Sequence, residues 1–144
     1  MKPYFYLPIV ALILSSCSIE PKPIIYGEDH CHYCDMTVVD KTHAAELTTK
    51  KGKSTVFDAI ECMVHKINED DSEEKMALIL VSDYANPGQL TNAKTALYLI
   101  SPKIKSPMGA NLSAFSTMSL ATKYQLDFGG NIYDWSQLKA KLSK

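Results

Sequence analysis

The order of predicted secondary-structure elements has a two-part echo along this chain, without a strong sequence repeat, and that order limits the folds that the chain can adopt. Over residues 45–81, two short strands are followed by a helix and then by a buried strand. Over residues 96–135, strand, helix and strand patterns recur in the same order. The alternation is too irregular for a doubly wound parallel sheet. We therefore predict an α+β fold, a small single domain built of two related strand-strand-helix-strand halves.

The strands are predicted from short apolar runs and from one turn. Residues 45–49 and 54–57 are expected to form a hairpin, since Gly52 lies between them and glycine supplies the positive φ that tight turns need. Continuous apolar runs are typical of buried strands. On this basis, the further predicted strands are residues 76–81, 96–100 and 132–135.

The helices are predicted from the spacing of apolar residues. From Phe57, apolar side chains recur at i, i+3, i+7 and i+10, and a similar spacing begins at Phe115. Asp134 or Ser136 is suited to cap a last helix, because a short polar side chain can bond the free backbone N–H groups there. The predicted helices are residues 58–68, 114–124 and 137–142.

The first sixteen residues have the pattern of a secretory signal. Lys2 supplies a positive charge, and residues 5–14 form an apolar segment. That segment is shorter than the ~20 apolar residues that a transmembrane helix needs. Ser15 and Ser16 then precede Cys17, as in a bacterial lipobox, where the cysteine receives lipid and becomes the mature N-terminus. We therefore predict a signal peptide over residues 1–16 and a lipid anchor at Cys17.

The organisation of the mature chain follows from that cleavage site. Residues 17–27 are predicted to be the lipidated N-terminus and an extended tether, because Pro21 and Pro23 discourage helix. Residues 28–144 are predicted to be the folded domain. Ser18 is not an inner-membrane retention signal, which favours a periplasm-facing protein anchored in the outer membrane. The formal net charge of -1 and the lack of a long basic stretch argue against nucleic acid as a partner.

Potential metal ligands are densest between residues 29 and 36, which contain two thiols, one thioether and two imidazoles. Thiolate and thioether are soft ligands, and Cu(I) is a soft ion. Residues 33–39 alternate loosely and predict a strand, on which Cys34 and Met36 share one side. Cys31 reaches the same ion only if the loop curls. This pattern favours a soft-metal site at Cys34 and Met36.

Other interpretations of Cys31 and Cys34 remain open from the residues alone. An exported protein lies in an oxidising compartment, where the two cysteines can form a disulfide. They also fit half of a structural zinc site, although no second pair of ligands follows with suitable spacing. A third interpretation is a thioredoxin-like redox pair. That motif normally opens a helix after a strand, and no strand is predicted before Cys31.

The remaining sulfur-bearing residues and His43 are expected either outside the core or within it. Cys62 lies opposite the apolar face of its predicted helix, so it is expected off the core, either as a further ligand or as a tolerated surface thiol. Met108 lies in a predicted tight turn, residues 106–110, and offers an exposed thioether. His43 is expected at the surface. The methionines expected in the core are Met63, Met76 and Met118.

Taken in order, these motifs resemble those of the NosL family, the copper-binding lipoproteins that accompany assembly of nitrous oxide reductase. The resemblance covers almost the whole mature chain, and the order and spacing of its parts are more specific than any one part. The shared features are the lipobox, Cys31-His32-Tyr33-Cys34-Asp35-Met36, Gly52-Lys53 with Val56-Phe57-Asp58, Cys62-Met63, Val81-Ser82-Asp83-Tyr84, Pro107-Met108-Gly109 with Ala114-Phe115, and Gly129-Gly130 leading to Trp135.

The resemblance implies a Cu(I) chaperone rather than an enzyme. Its implied partners are a copper-handling ABC-type transporter and the maturation proteins of nitrous oxide reductase. Its implied copper ligands are Cys34, Met36 and Met108, with Cys31 as a further candidate. Asp35 stands where the family often has glycine, and aspartate tolerates unusual φ better than most residues.

A thiol enzyme is the alternative function. A thiol-disulfide oxidoreductase, or an enzyme similar to organomercury lyase, needs two cysteines, and the lyase also needs an acid that delivers a proton. Cys31 and Cys34 with Asp35, or Cys62 with Asp58, are the residues suited to those roles. The sequence offers no P-loop and no evident Ser/His/Asp arrangement, so a hydrolase or a nucleotide enzyme is not indicated.

Overall fold

The computed structural model describes residues 18–143, so the predicted signal peptide and Cys17 lie outside the described residues. Over this range the chain contains seven strands and three α-helices. The elements of the first half are β1 (Ala45–Thr49), β2 (Ser54–Phe57), α1 (Ile60–Asp70), β3 (Met76–Ser82) and β4 (Leu90–Asn92). Those of the second half are β5 (Leu97–Ile100), β6 (Leu112–Phe115), α2 (Met118–Phe128), β7 (Asn131–Tyr133) and α3 (Trp135–Leu142).

The two halves share one strand topology. The first sheet has the order β2-β1-β3-β4, and the second has the order β6-β5-β7. In each half the first strand is flanked by the next strand and by the strand that follows the helix, and all of these pairs are antiparallel. β4 and α3 are additions to this common unit. The predicted α+β domain of two related halves is thereby confirmed.

A common core joins the halves. Leu47 and Phe57 of the first sheet lie in the same buried cluster as Tyr98 of the second sheet and Leu138 of α3. A backbone bond from Tyr84 N–H to the Ala114 carbonyl, 2.8 Å long, also links the end of β3 to β6. Helix α1 is covered by the first sheet, by α3 and by β6, so apolar side chains on more than one face are removed from water.

Two predicted elements differ from the structure by more than two residues at an end. No strand forms over residues 33–39; His30 and Thr37 make only an isolated bridge, and residues 32–34 form a turn. The helix predicted over 114–124 begins four residues later, because the Thr117 side chain caps it by accepting from Leu120 N–H. The preceding residues, Leu112–Phe115, are all buried and pair with β5. A four-residue buried run does not distinguish strand from helix by its period.

The segment before the metal-ligand cluster is packed against the domain from Lys22 onward. The Lys22 N–H donates to Glu46 Oε1 over 2.8 Å, and Ile24 and Tyr26 contact the small buried cluster that contains Val38. In the part of the chain that the structure covers, no helix is both long enough and apolar enough to cross a membrane.

Candidate metal centre

The loop that carries Cys31 and Cys34 is a short hairpin-like turn. The Cys31 N–H donates to the Met36 carbonyl over 2.8 Å, and the Asp35 N–H donates to the Cys31 carbonyl over 2.9 Å. Asp35 has a φ of 64°, in the left-handed region that favours glycine and that Asp and Asn tolerate better than most residues. The loop therefore curls, which brings Cys34 back towards Cys31.

Helix α1 supplies the other half of the site. Asp58 lies just before the helix, and Cys62 follows it by four residues, which places the two side chains on the same side of the helix start. The His32 N–H donates to the Val56 carbonyl of β2 over 2.9 Å and so fixes the loop beside this helix. One ligand atom from each of Cys31, Cys34, Asp58 and Cys62 lies within 4.8 Å of the others.

Tyr33 fastens the same loop to the exposed side of α1. Its ring stacks on His65 with centroids 5.9 Å apart, and its hydroxyl donates to Glu69 Oε1 over 2.6 Å. Both contacts are made to residues that follow Cys62 on α1, whereas the His32 bond reaches Val56, which precedes it. Together these contacts fix Cys31 and Cys34 against Cys62 of the helix.

Hydrogen bonding within the thiol cluster is incomplete. The thiols of Cys34 and Cys62 both donate to Asp58 Oδ1, each over 3.3 Å. The second carboxylate oxygen, Asp58 Oδ2, is buried and has no hydrogen-bond partner among the described residues. A buried, unpartnered carboxylate oxygen costs free energy unless a donor or a cation reaches it. The cluster therefore has unused capacity for a positively charged ligand.

Ionisation differs among the three thiols. A hydrogen bond from Cys62 outweighs burial and lowers the pKa of Cys31 to about 6. Burial, with the contacts to Cys31 and Asp58, raises the pKa of Cys34 to about 11. The hydrogen bond to Cys31, followed by burial, raises the pKa of Cys62 well above its usual range. The cluster thus holds one thiolate readily, and further thiols ionise when a cation replaces their protons.

The predicted ligands Met36 and Met108 are placed differently. Met36 is 50% exposed and Met108 is 44% exposed. Met108 lies in the predicted turn, closed by a bond from Gly109 N–H to the Ser106 carbonyl over 3.0 Å. This turn contacts α1 through Glu61, which directly precedes Cys62. Both thioethers are thus open to solvent, whereas Cys31 and Cys62 are buried.

The position of Cys62 differs from the one expected from the sequence. It was expected off the core, but only 1% of its surface is exposed. The apolar face of α1 packs on the sheet as predicted, and the loop of Cys31 and Cys34 covers the opposite stripe. Asp58 and Cys62 at i and i+4 were the sequence signal for this, since that spacing puts a carboxylate and a thiol side by side on a helix.

Two other expectations are also wrong. Met118 was expected in the core, but it is 55% exposed in the first turn of α2, because the helix begins later than predicted. His43 was expected at the surface, but it is 2% exposed and bonds both Asp40 and Ser113, at 2.7 and 3.1 Å. Asp40, His43 and Ser113 are hydrogen-bonded in the same order as the acid, base and nucleophile of a hydrolytic triad. Ser113 is fully buried, however, so its hydroxyl faces no substrate.

Comparison with known proteins gives a consistent result. The NosL family model matches residues 23–143. Among solved structures, the chain is similar to the crystal structure of the copper chaperone NosL from Shewanella denitrificans, with 19% identity and a TM-score of 0.71. That match covers 83% of this chain and 96% of the other, and the other protein is described as a copper chaperone. No curated protein matches the sequence. Since the family model spans most of its length, this chain belongs to the NosL family.

Proposed function

We propose that this chain is a Cu(I) chaperone of the cell envelope, and that it delivers copper to the assembly machinery of nitrous oxide reductase. The observation that carries the proposal is the group of Cys31, Cys34, Cys62 and Asp58 within 4.8 Å of one another. Three thiols in one cluster favour a soft ion, and Cu(I) is among the ions that thiolate and thioether ligands select. The similarity to a protein described as a copper chaperone supports the same metal.

The proposed ligand set has a buried and an exposed side. Cys31, Cys34 and Cys62 hold the ion inside the pocket, while Met36 and Met108 provide thioethers where an acceptor can approach. Cys34 is half-buried and belongs to both sides. A thioether is a weaker ligand than a thiolate because it carries no charge, so this set suits an ion that must be released.

The proposed cellular setting rests on the sequence. Lipid attached at Cys17 would anchor the chain to the outer membrane, with the domain facing the periplasm. A copper-handling ABC-type transporter and the maturation proteins of nitrous oxide reductase are the proposed partners. Copper is cargo in this scheme, and the chain carries no catalytic role.

A Cu(I) titration tests the site. The full chain is purified in mild detergent, reduced, and titrated with Cu(I) against a competing chelator of known affinity. We expect Cys34→Ser and Met108→Ala to weaken Cu(I) binding, the cysteine change more strongly, because it removes a charged ligand. Binding by both variants as tight as that of the wild type would reject the proposed site.

The thiol-enzyme alternative has weaker support. Cys31 and Cys34 lie in a turn, whereas a thioredoxin-like pair opens a helix. Asp58 beside two thiols does match the residue types that a thiol lyase needs. Turnover of insulin disulfides or of an organomercurial by the metal-free chain would favour the enzyme. We expect neither activity.

A further inference from the structure

We propose that Glu61 is a positioning residue that holds the turn of Met108 against the helix that supplies Cys62. The proposal rests on the proposed function, in which Met108 is a copper ligand. Glu61 belongs to the first turn of α1 and directly precedes Cys62. A contact that ties the Met108 turn to Glu61 therefore ties it to the helix that supplies Cys62.

Two hydrogen bonds attach the turn to the same carboxylate oxygen. The Ser106 hydroxyl donates to Glu61 Oε1 through a short hydrogen bond, and the Ala110 N–H donates to the same atom over 3.3 Å. These donors stand two residues before and two residues after Met108. The turn is thus attached to α1 at both ends, while the thioether between the attachments stays 44% exposed.

Glu61 makes this contact from a buried position. Its side chain is 2% exposed, and Oε2 has no hydrogen-bond partner within residues 18–143. A buried carboxylate with one oxygen unpartnered is a costly way to stabilise a helix. Its place in the first helical turn lowers that cost, since the helix dipole favours negative charge there. The contact keeps the Met108 turn fixed, and a ligand that is fixed before the ion arrives binds it more tightly.

Glu46 provides a matched control. It is also a fully buried glutamate with one unpartnered oxygen, and its other oxygen accepts from the Lys22 N–H and the Thr48 hydroxyl. It lies on β1 and has no bond to the Met108 turn. Glu46→Ala should therefore lower stability as Glu61→Ala does, without changing Cu(I) affinity.

The test is a double-mutant cycle on the full chain in detergent, read as Cu(I) affinity by chelator competition. We expect Glu61→Ala to weaken binding by ~10-fold, the lower end of the range for groups that orient metal ligands. Glu61→Ala added to Met108→Ala should produce no further loss, because no thioether remains to be positioned. Glu61→Gln keeps an acceptor oxygen and should restore most of the affinity. Thermal unfolding of each variant reports folding separately, and Ser106→Ala replaces Glu61→Ala if the latter does not fold.

The outcomes separate this inference from the function on which it rests. An equal loss from Glu61→Ala in the wild-type and Met108→Ala backgrounds overturns the positioning role, since the effect then does not pass through Met108. The positioning role is also overturned if Glu61→Ala binds Cu(I) as tightly as the wild type while Met108→Ala binds it more weakly. Wild-type affinity in Met108→Ala overturns both the inference and that ligand assignment, whereas the Cys34→Ser titration decides the copper site itself.

Discussion

Two buried polar groups in this molecule differ in how fully their hydrogen bonds are made. In the first, His43 bonds Asp40 and Ser113 with its two ring nitrogens, at 2.7 and 3.1 Å. The N–H and hydroxyl of Thr42 donate to the other oxygen of Asp40, at 2.7 and 2.6 Å. In the second, the thiol cluster, two thiols share Asp58 Oδ1, while Oδ2 has no partner in the described part of the chain.

The difference in completeness corresponds to a difference in role. The His43 group joins the residues before β1 to β6, so it links the two halves of the fold. It also pairs the Asp40 carboxylate with the basic His43 side chain, so the carboxylate has a partner and does not call for a cation. The thiol cluster contains acids alone, and Asp58 forms no ion pair among the described residues. A completed network stabilises a fold, whereas an incomplete acidic one has capacity for a cation.

The largest expected effect comes from removing the thiols together. Cys31→Ser, Cys34→Ser and Cys62→Ser combined should weaken Cu(I) binding by ~1,000-fold or more, equivalent to about 4 kcal/mol, because only hard oxygen donors and the uncharged thioethers of Met36 and Met108 remain. Chelator competition measures the affinity. His43→Ala is the matched control from the completed network, and a similar loss in that variant would remove the distinction between the two groups.

The next largest effect is on stability. His43→Ala should lower the free energy of unfolding by roughly 2–3 kcal/mol, since it leaves a cavity and unpartnered polar groups. Denaturant unfolding of the metal-free chain gives this value. Cu(I) affinity should stay within about twofold of the wild type, because the histidine belongs to the other group. A loss of stability below ~0.5 kcal/mol would show that the network is not structural.

A smaller effect is expected from Asp58→Asn, which keeps the shape of the side chain and removes its charge. Cu(I) affinity should fall by ~10-fold, in the range of groups that orient metal ligands. The free energy of unfolding of the metal-free chain should change little, because the unpartnered oxygen already costs stability in the wild type. If Asp58→Asn binds Cu(I) as tightly as the wild type, Asp58 does not assist the site, whatever its distance from the thiols.

The smallest effect concerns acid pH. Burial alone would raise the pKa of Asp40, but hydrogen bonds from Thr42 and His43 outweigh it and hold the pKa below its ordinary value of 3.8. A lowered folded-state pKa stabilises the fold above that ordinary value, and the contribution is lost as pH falls through the folded-state pKa. The free energy of unfolding, measured at pH 7 and at pH 3, should therefore fall less on acidification in Asp40→Asn than in the wild type. Equal losses would contradict this assignment.

The sequence predicted most of the repeated framework, but not β6, which overlaps the helix predicted over residues 114–124. The bounds of β1 and β2 were predicted without error, and β3 differs by one residue, because these elements have apolar runs bounded by a clear turn. The cysteine loop was not predicted, since its curl depends on Asp35 at positive φ and on a backbone bond to Val56 in another element. Loose alternation over residues 33–39 does not encode either feature.

The metal centre could be predicted only in part. Cys31 and Cys34 stand close in the sequence, and their soft-ligand character is evident from residue type alone. Cys62 joins them because the loop packs on the helix face that was expected to meet solvent. The spacing of Asp58 and Cys62 is a local signal for a paired thiol and carboxylate, but it does not predict that the loop reaches them. The same limit applies to Glu61, whose partners in the Met108 turn are 45 and 49 residues away.

X-ray absorption at the copper edge of the chain loaded with one equivalent of Cu(I) tests the central claim most directly, because it reports the atoms bound to the metal. The account predicts an edge typical of Cu(I) and a first shell dominated by sulfur, which loses sulfur when Cys34 or Cys62 is replaced by serine. A first shell of nitrogen and oxygen, or a sulfur shell that both substitutions leave unchanged, would contradict it.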